Sequence, residues 1–180
     1  MINKSVAAVV AAAAVTGLAV AACSSSSSTS GTEHFSSVLH GQATMGNTIP
    51  LTYTGPVNTT GSFNAAGPGP KVGQERTFPT KAGTLELKVT KVPVNPQGTT
   101  TYNSTTCAGV SKTVVDYSVL GSKSTGKFKG ATGSGVVTFI FSGTAPRLSN
   151  GKCNESSSVE PITSTAYLSF VGIGPLTVSS

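Results

Sequence analysis

Charged residues and histidines are scarce in this chain of 180 residues. Asp, Glu, Lys and Arg together make up 10% of the sequence, and there are two histidines. Both of them, His34 and His40, lie near the N-terminal end, far in sequence from Asp116, the one aspartate. With so few carboxylates, neither a Ser-His-Asp triad nor a pair of acid/base carboxylates is expected. The sequence therefore predicts no catalytic residue and a protein that is not an enzyme.

Motifs for nucleophilic catalysis and for bound cofactors are also missing. The chain has no G-x-S-x-G elbow, no GxGxxG between a strand and a helix, and no P-loop. Glu33 with His34 and His40 would hold a metal only weakly, so exposed, unpaired histidines are expected there instead. The sequence thus predicts neither a metal site nor a cofactor.

The N-terminal segment indicates export. Lys4 precedes an uncharged, Ala- and Val-rich run over residues 5–20, which ends in Val20-Ala21-Ala22-Cys23. This pattern resembles a bacterial lipobox, whose cysteine receives a diacylglyceryl group before cleavage in front of it. A transmembrane helix or an ordinary secretory signal fits less well, because the run is barely long enough to span and lacks a basic flank. We therefore expect a lipoprotein signal peptide over 1–22, lipidation at Cys23, and an exported protein anchored to the outer face of the cytoplasmic membrane or cell envelope.

Composition divides the remainder into a tether and a domain. Residues 23–34 are rich in Ser and Thr and offer little apolar surface to bury, so they are predicted to be a disordered tether. Residues 35–180 are predicted to form a single domain. The chain has three cysteines. With Cys23 lipidated, Cys107 and Cys153 remain as a pair in an oxidising compartment and are predicted to form a disulfide.

The net charge is mildly positive, at +6. Four lysines, Lys112, Lys123, Lys127 and Lys129, fall close together in the sequence and are expected at the solvated ends of strands and in turns. They favour weak contact with lipid headgroups or anionic envelope polymers. Nucleic acid is not an expected partner, because an exported protein does not meet it and no aromatic residues alternate with the basic ones.

The hydrophobic pattern predicts short strands. No segment after residue 23 has sustained helical periodicity, and 21 Gly and 10 Pro divide the chain into short pieces. Within these pieces apolar residues recur with a period of two, as in a half-buried strand, while the stretch around Phe139 is apolar on both faces and should be central. The predicted strands are 50–54, 58–63, 76–78, 84–91, 99–103, 115–119, 137–142, 165–171 and 175–178, with a turn over 172–174. An all-β fold follows, either a small antiparallel barrel of about eight strands or a sandwich, which differ in whether edge strands remain.

A glycine-rich motif supports the barrel. Residues 126–133, GKFKGATG, are similar to a G-x-[FY]-x-G-A-x-G signature of bacterial exported proteins and to the related stretch of plant dirigent and allene oxide cyclase barrels. Phe128 in this motif is expected to fill the core. Shorter matches at 61–67, 77–79, 82–85, 106–107 and 145–153 resemble a family of uncharacterised exported actinobacterial lipoproteins. The resemblance implies an eight-stranded barrel that is located outside the cytoplasm. It implies no established activity.

Two functions remain open on this basis. The first is a non-catalytic envelope lipoprotein, structural or binding a ligand or partner. The alternative is a protein that binds a small apolar ligand, or a dirigent- or cyclase-like enzyme, using the barrel interior. The interior distinguishes them, because eight strands leave room either for side chains or for one small ligand.

Overall fold

The computed structural model describes residues 27–41, 48–64, 69–93, 99–156 and 161–179, so the predicted signal peptide and Cys23 lie outside the described residues. These ranges contain strands and two single-turn 3-10 helices, and none of their helices is long and apolar enough to cross a membrane. The strands are β1 (Ser28–His40), β2 (Thr48–Thr54), β3 (Thr59–Asn64), β4 (Glu75–Thr80), β5 (Gly83–Lys91), β6 (Thr99–Asn103), β7 (Ala108–Val119), β8 (Thr132–Thr144) and β9 (Tyr167–Ser179).

Eight of the strands close into an antiparallel barrel. The ring runs β1-β2-β3-β4-β5-β7-β8-β9 and returns to β1. β6 lies outside the ring and pairs with the first half of β7, whereas the second half of β7 pairs with β5. The predicted barrel is therefore confirmed over the sandwich, since each strand of the ring has a partner on both sides. β8 lies between β7 and β9, as its two apolar faces indicate.

Aromatic rings fill the barrel. Phe35 is fully buried, and its ring lies 5.6–5.9 Å, between centroids, from those of Tyr53, Phe78, Tyr117 and Phe170. Phe128 is also fully buried and contacts Tyr53, which confirms its expected place in the core. The interior is thus occupied by side chains at close-packed distances.

The turn expected over 172–174 is wrong, because these residues lie within the continuous strand β9. A Cβ atom on Gly172 would lie 2.0 Å from the Phe35 ring, and one on Gly174 would lie 2.0 Å from the Ser134 carbonyl oxygen. The glycines therefore provide space for close packing within a strand rather than a reversal of the chain.

The tether prediction is also wrong for residues 28–34, which form the first half of β1. All thirteen residues of β1 pair with β9, from Ser28 opposite Ser179 to His40 opposite Tyr167. Sheet hydrogen bonds join backbone groups, so a Ser- and Thr-rich segment can pair without burying apolar side chains. The domain consequently includes Ser28 and the residues after it, rather than starting at Phe35.

The two ends of the barrel carry different loops. At one end, here called the N end, β1 begins, the 55–58 loop joins β2 to β3, and the 120–131 loop joins β7 to β8. At the other end, called the far end, β1 ends at His40 and β9 begins beside the end of β8. The candidate sites lie at these ends.

Candidate functional site

The four lysines singled out in the sequence do not form one surface. Lys127 and Lys129 are exposed in the 120–131 loop at the N end. Lys123 lies in the same loop but pairs with Glu75, with Nζ 2.6 Å from Oε2. Lys112 lies on β7, opposite Ile140 of β8, away from that loop. Lys112 therefore does not share a surface with the lysines of the loop, and the charge of Lys123 is paired with that of Glu75.

A lysine outside the original set joins the loop instead. The turn between β4 and β5 packs against the 120–131 loop, with the Lys127 amide donating to the Ala82 carbonyl at 2.9 Å. Gly83 permits this approach, since a Cβ atom there would lie 2.3 Å from the Thr125 carbonyl oxygen. The exposed Lys81 is thereby brought to the N end. Sequence spacing gave no signal for it, because the two turns are far apart along the chain.

A buried carboxyl group faces into the N end of the barrel. Glu33 is 2% exposed and alternates along β1 with the outward residues Thr32 and His34. Its Oε2 accepts a hydrogen bond of 3.0 Å from the Val57 amide, so the 55–58 loop is held across this end. Its Oε1 and the Tyr53 hydroxyl are buried without a hydrogen-bond partner among the described residues. Such unpaired polar atoms are rare inside proteins.

Burial shifts the ionisation of this cluster. Loss of solvation raises the pKa of Glu33 to about 7, which the hydrogen bond from Val57 only partly opposes. Burial, and then the negative charge of Glu33, raise the pKa of Tyr117 to about 12 and also raise the pKa of Tyr53. Near neutral pH, Glu33 therefore exchanges between a protonated and an ionised form beside two protonated phenols. This chemistry suits a proton donor or acceptor.

The sequence missed Glu33 because it was assigned to the tether. The only available signal was the alternation of Glu33, Phe35 and Leu39 with His34, and the serines around them obscure it. Because neighbouring strand residues face opposite sides, His34 lies outside while Glu33 lies inside, so they do not form a common metal site. The ranges that the structure describes contain no group of three His, Cys, Asp or Glu residues able to hold a metal ion.

The predicted disulfide is present at the far end. Cys107 and Cys153 are bonded, with Cα atoms 5.4 Å apart. The link joins the turn between β6 and β7 to the loop that follows β8. Arg147 adds hydrogen bonds from its guanidinium to the Gly151 and Thr105 carbonyls, so this loop is held at two points.

An open groove of about 240 Å³ lies beside the disulfide. Tyr102 of β6, Val110 of β7, Phe141 of β8 and Pro161 contribute apolar walls, and Asn154 and Glu155 contribute polar ones. Phe141 lies in the same row of β8 as Val137 and Phe139, which face the core, so the groove continues the inner surface of the sheet beyond the closed ring. It can accommodate a small apolar group.

Comparison of the chain with protein-family models, with curated proteins and with solved structures finds no match in any of the three.

Proposed function

We propose that this protein is a non-catalytic, lipid-anchored protein of the cell envelope. In this proposal its barrel stands with the N end toward the membrane and the groove toward solvent. The observation that carries it is that β1 begins at the end where Lys81, Lys127 and Lys129 are exposed. An anchor at Cys23 and these three lysines would therefore act at the same end of the molecule.

The length of chain before β1 supports this orientation. Four residues separate Cys23 from Ser28. An extended chain advances at most about 3.5 Å per residue. The Cα atom of Ser28, at the start of β1, can therefore lie no more than about 18 Å from the Cα atom of Cys23. The tether therefore keeps this end of the barrel near the membrane, where a lysine that comes within about one Debye length of anionic headgroups contributes about 1 kcal/mol.

The filled interior supports a binding rather than a catalytic role. Phe35 and the rings around it occupy the space that a substrate would need inside the eight-stranded ring. The groove at the far end is open and lined by apolar side chains. We place the ligand or partner contact there, on the side that faces away from the proposed anchor.

Vesicle binding tests the orientation. Chains beginning at Ser27, which lack the anchor, are mixed with vesicles that contain anionic lipid. Lys81→Gln/Lys127→Gln/Lys129→Gln is compared with Lys71→Gln/Lys91→Gln/Lys152→Gln, which removes the same charge elsewhere. We expect the first triple variant to bind about 10- to 100-fold more weakly at low salt and the control to change little. Equal losses in both would contradict the proposal, because they would indicate net charge alone.

Groove binding is tested with an apolar fluorescent probe such as 1-anilinonaphthalene-8-sulfonate. Tyr102→Ser removes one wall of the groove, whereas Tyr167→Ser removes a tyrosine that packs on His40 outside it. We expect only the first substitution to weaken probe binding. An unchanged affinity in Tyr102→Ser would remove the groove from the proposal.

The buried Glu33 cluster favours a second candidate, an acid/base reaction or binding of a small molecule at the N end. The two unpaired polar atoms, Glu33 Oε1 and the Tyr53 hydroxyl, are the observation behind it. Glu33→Gln and Tyr53→Phe keep the shape of both side chains and remove the chemistry. Candidate small apolar molecules are screened for turnover and for binding. A turnover lost in both variants, with folding intact, would favour this candidate over the non-catalytic one.

A further inference from the structure

We propose that an extended segment of a partner protein binds to β6 as an added strand and directs alternate apolar side chains to the groove beside the disulfide. This inference rests on the proposed function, because it names the partner chemistry for the groove at the far end. β6 (Thr99–Asn103) pairs with β7 on one side, and no described strand pairs with its other side. All five of its residues are exposed. An exposed strand edge of this kind is a template for another strand.

The hydrogen bonds of β7 show which groups of β6 face outward. The Ala145 amide donates to the Cys107 carbonyl at 2.9 Å, one step beyond the opposed pair of Ala108 and Thr144. Positions that bond to a given neighbour alternate along an antiparallel strand. The odd-numbered residues in the first half of β7 therefore bond to β8, and the even-numbered ones bond to β6.

The outward groups of β6 belong to Thr100 and Tyr102. The even-numbered residues of β7 lie opposite odd-numbered residues of β6, as Val110 lies opposite Thr101. The N–H and C=O groups of Thr100 and Tyr102 therefore point away from β7, and no other described backbone group bonds to them. An extended polypeptide presents its own N–H and C=O groups with the same spacing, at every second residue. A small apolar molecule offers no such match.

The same two residues line the groove, and Tyr102 is 42% exposed there. Opposed residues of neighbouring strands direct their side chains to the same face of a sheet. Partner residues that bond to Thr100 and Tyr102 therefore direct their side chains to the groove side. A segment with apolar residues at every second position would satisfy the strand edge and the groove together.

The residues of β6 favour pairing, and one charge favours a basic partner. Its threonines and tyrosine are typical of strands, and β6 contains no lysine or proline, which commonly protect an exposed edge. Glu155 lines the groove and forms no salt bridge within the described part of the chain. A lysine or arginine in the segment would complement this carboxylate.

Backbone N-methylation of a peptide tests the pairing. The probe is Lys-Thr-Val-Thr-Val-Thr-Lys, added to the chain beginning at Ser27, which keeps every described strand. Methylation of both valine nitrogens removes the N–H groups that face β6. Methylation of the two threonines that follow the valines removes N–H groups that face away, and this peptide is the matched control. We expect at least about tenfold weaker binding in the first case and little change in the control. Equal effects of both modifications, or no binding of the unmodified peptide, would overturn the proposal.

Amide hydrogen exchange locates the added strand. We expect the peptide to slow exchange at Thr100 and Tyr102 by about tenfold or more, and to change it less at Thr101, which already bonds to β7. Slow exchange at Thr100 and Tyr102 without peptide would overturn the proposal, because the edge would then already be covered by a second copy or by the chain itself.

Substitution at one edge position provides an independent test. Thr100→Pro removes an N–H group that faces outward, which a sheet edge tolerates, whereas Thr100→Val keeps it. We expect only the proline variant to bind the peptide at least about tenfold more weakly, with unchanged melting temperatures in both. Equal affinities would overturn the proposal, and the methylated peptides decide it if Thr100→Pro does not fold. Glu155→Gln should weaken binding about threefold at low salt. No change there would overturn the choice of a basic segment.

The fluorescent groove probe separates this inference from the proposed function. If the probe binds in a way that depends on Tyr102 and the peptide does not bind, the added strand is overturned and the groove remains a binding site. If the peptide binds with the expected pattern and the probe does not, the added strand is supported and the groove loses its role for small apolar molecules.

Discussion

At the scale of single residues, the unusual position is Glu33. Its carboxyl group is 2% exposed and accepts a hydrogen bond from the Val57 amide, while its second oxygen is buried without a partner among the described residues. The protonated acid tolerates this surrounding better than the carboxylate does, because only the carboxylate loses the solvation of a full charge. The charge state of Glu33 therefore contributes to stability.

This raised pKa predicts how stability depends on pH. Unfolded Glu33 titrates near 4.5, whereas in the folded protein its pKa is about 7. Between these values the folded state binds the proton and the unfolded state does not, so stability falls as the pH rises from 4.5 to 7. The loss is on the order of 3 kcal/mol. Urea unfolding at several pH values should show this slope in the wild type and in Glu155→Gln, and a much flatter profile in Glu33→Gln. The same slope in Glu33→Gln would assign it to another group.

Gly172 is predicted to tolerate no side chain. In Gly172→Ala the new methyl group would overlap the Phe35 ring, which other rings hold on several sides. Overpacking of this kind typically costs about 1–3 kcal/mol, and we expect a loss at the upper end. Gly69→Ala is the control and should be nearly neutral, because a Cβ atom added there would have no atom within 4 Å apart from its own residue and chain neighbours. Thermal unfolding measures both, and comparable midpoints would show that the Phe35 ring can move aside.

At the scale of elements, β1 completes the barrel. It pairs with β9 along its whole length and with β2 around Phe35. Without its first half, β9 would lose the partner of its last residues, and the barrel would gain an open edge.

Truncation distinguishes a strand from a tether. A chain beginning at Phe35 lacks Glu33 and the β1 residues paired with 173–179 of β9. We expect it to unfold several kcal/mol more easily than a chain beginning at Ser27, because backbone pairing and burial are both lost. Hydrogen exchange should become fast in residues 173–178. Equal stability of the two chains would support the tether instead.

The disulfide stabilises the far end. It links positions 46 residues apart, and closing a loop of this length restricts the unfolded chain by about 3–4 kcal/mol. Cys107→Ser/Cys153→Ser should lower the free energy of unfolding by about this amount. The wild type under reducing conditions should behave like the double variant. A stability that does not change upon reduction would show that the link adds nothing to the folded state.

At the scale of the whole molecule, the proposal connects the anchor, the lysines and the groove along one axis of the barrel. Its first requirement is lipidation of Cys23. In Cys23→Ser we expect an unprocessed precursor or release into the medium, because in this proposal the lipid is the durable anchor once residues 1–22 are removed. Ser24→Ala serves as the control. Detergent-phase partitioning and intact mass measure the outcome, and identical partitioning of Cys23→Ser and wild type would contradict the anchor.

The sequence by itself determined the fold class, most of the strands and the disulfide. Alternating residues in 84–91 and two-sided apolar residues around Phe139 are local signals, and they match β5 and the central β8. The cysteine pair needed no distance information, because only one pair remained once Cys23 was set aside. The strands depend on the pattern of neighbouring residues, and the disulfide depends on the number of cysteines.

The tertiary structure alone decided the rest. Whether a Ser-rich segment pairs depends on an edge of β9 that is distant in sequence, and whether Gly172 marks a turn depends on the Phe35 ring packed against it. The burial of Glu33 and the approach of Lys81 to the 120–131 loop likewise arise only when the barrel closes. Closure brings together residues whose chemistry is unremarkable in sequence, and their shared surroundings then set their charge, their packing and their partners.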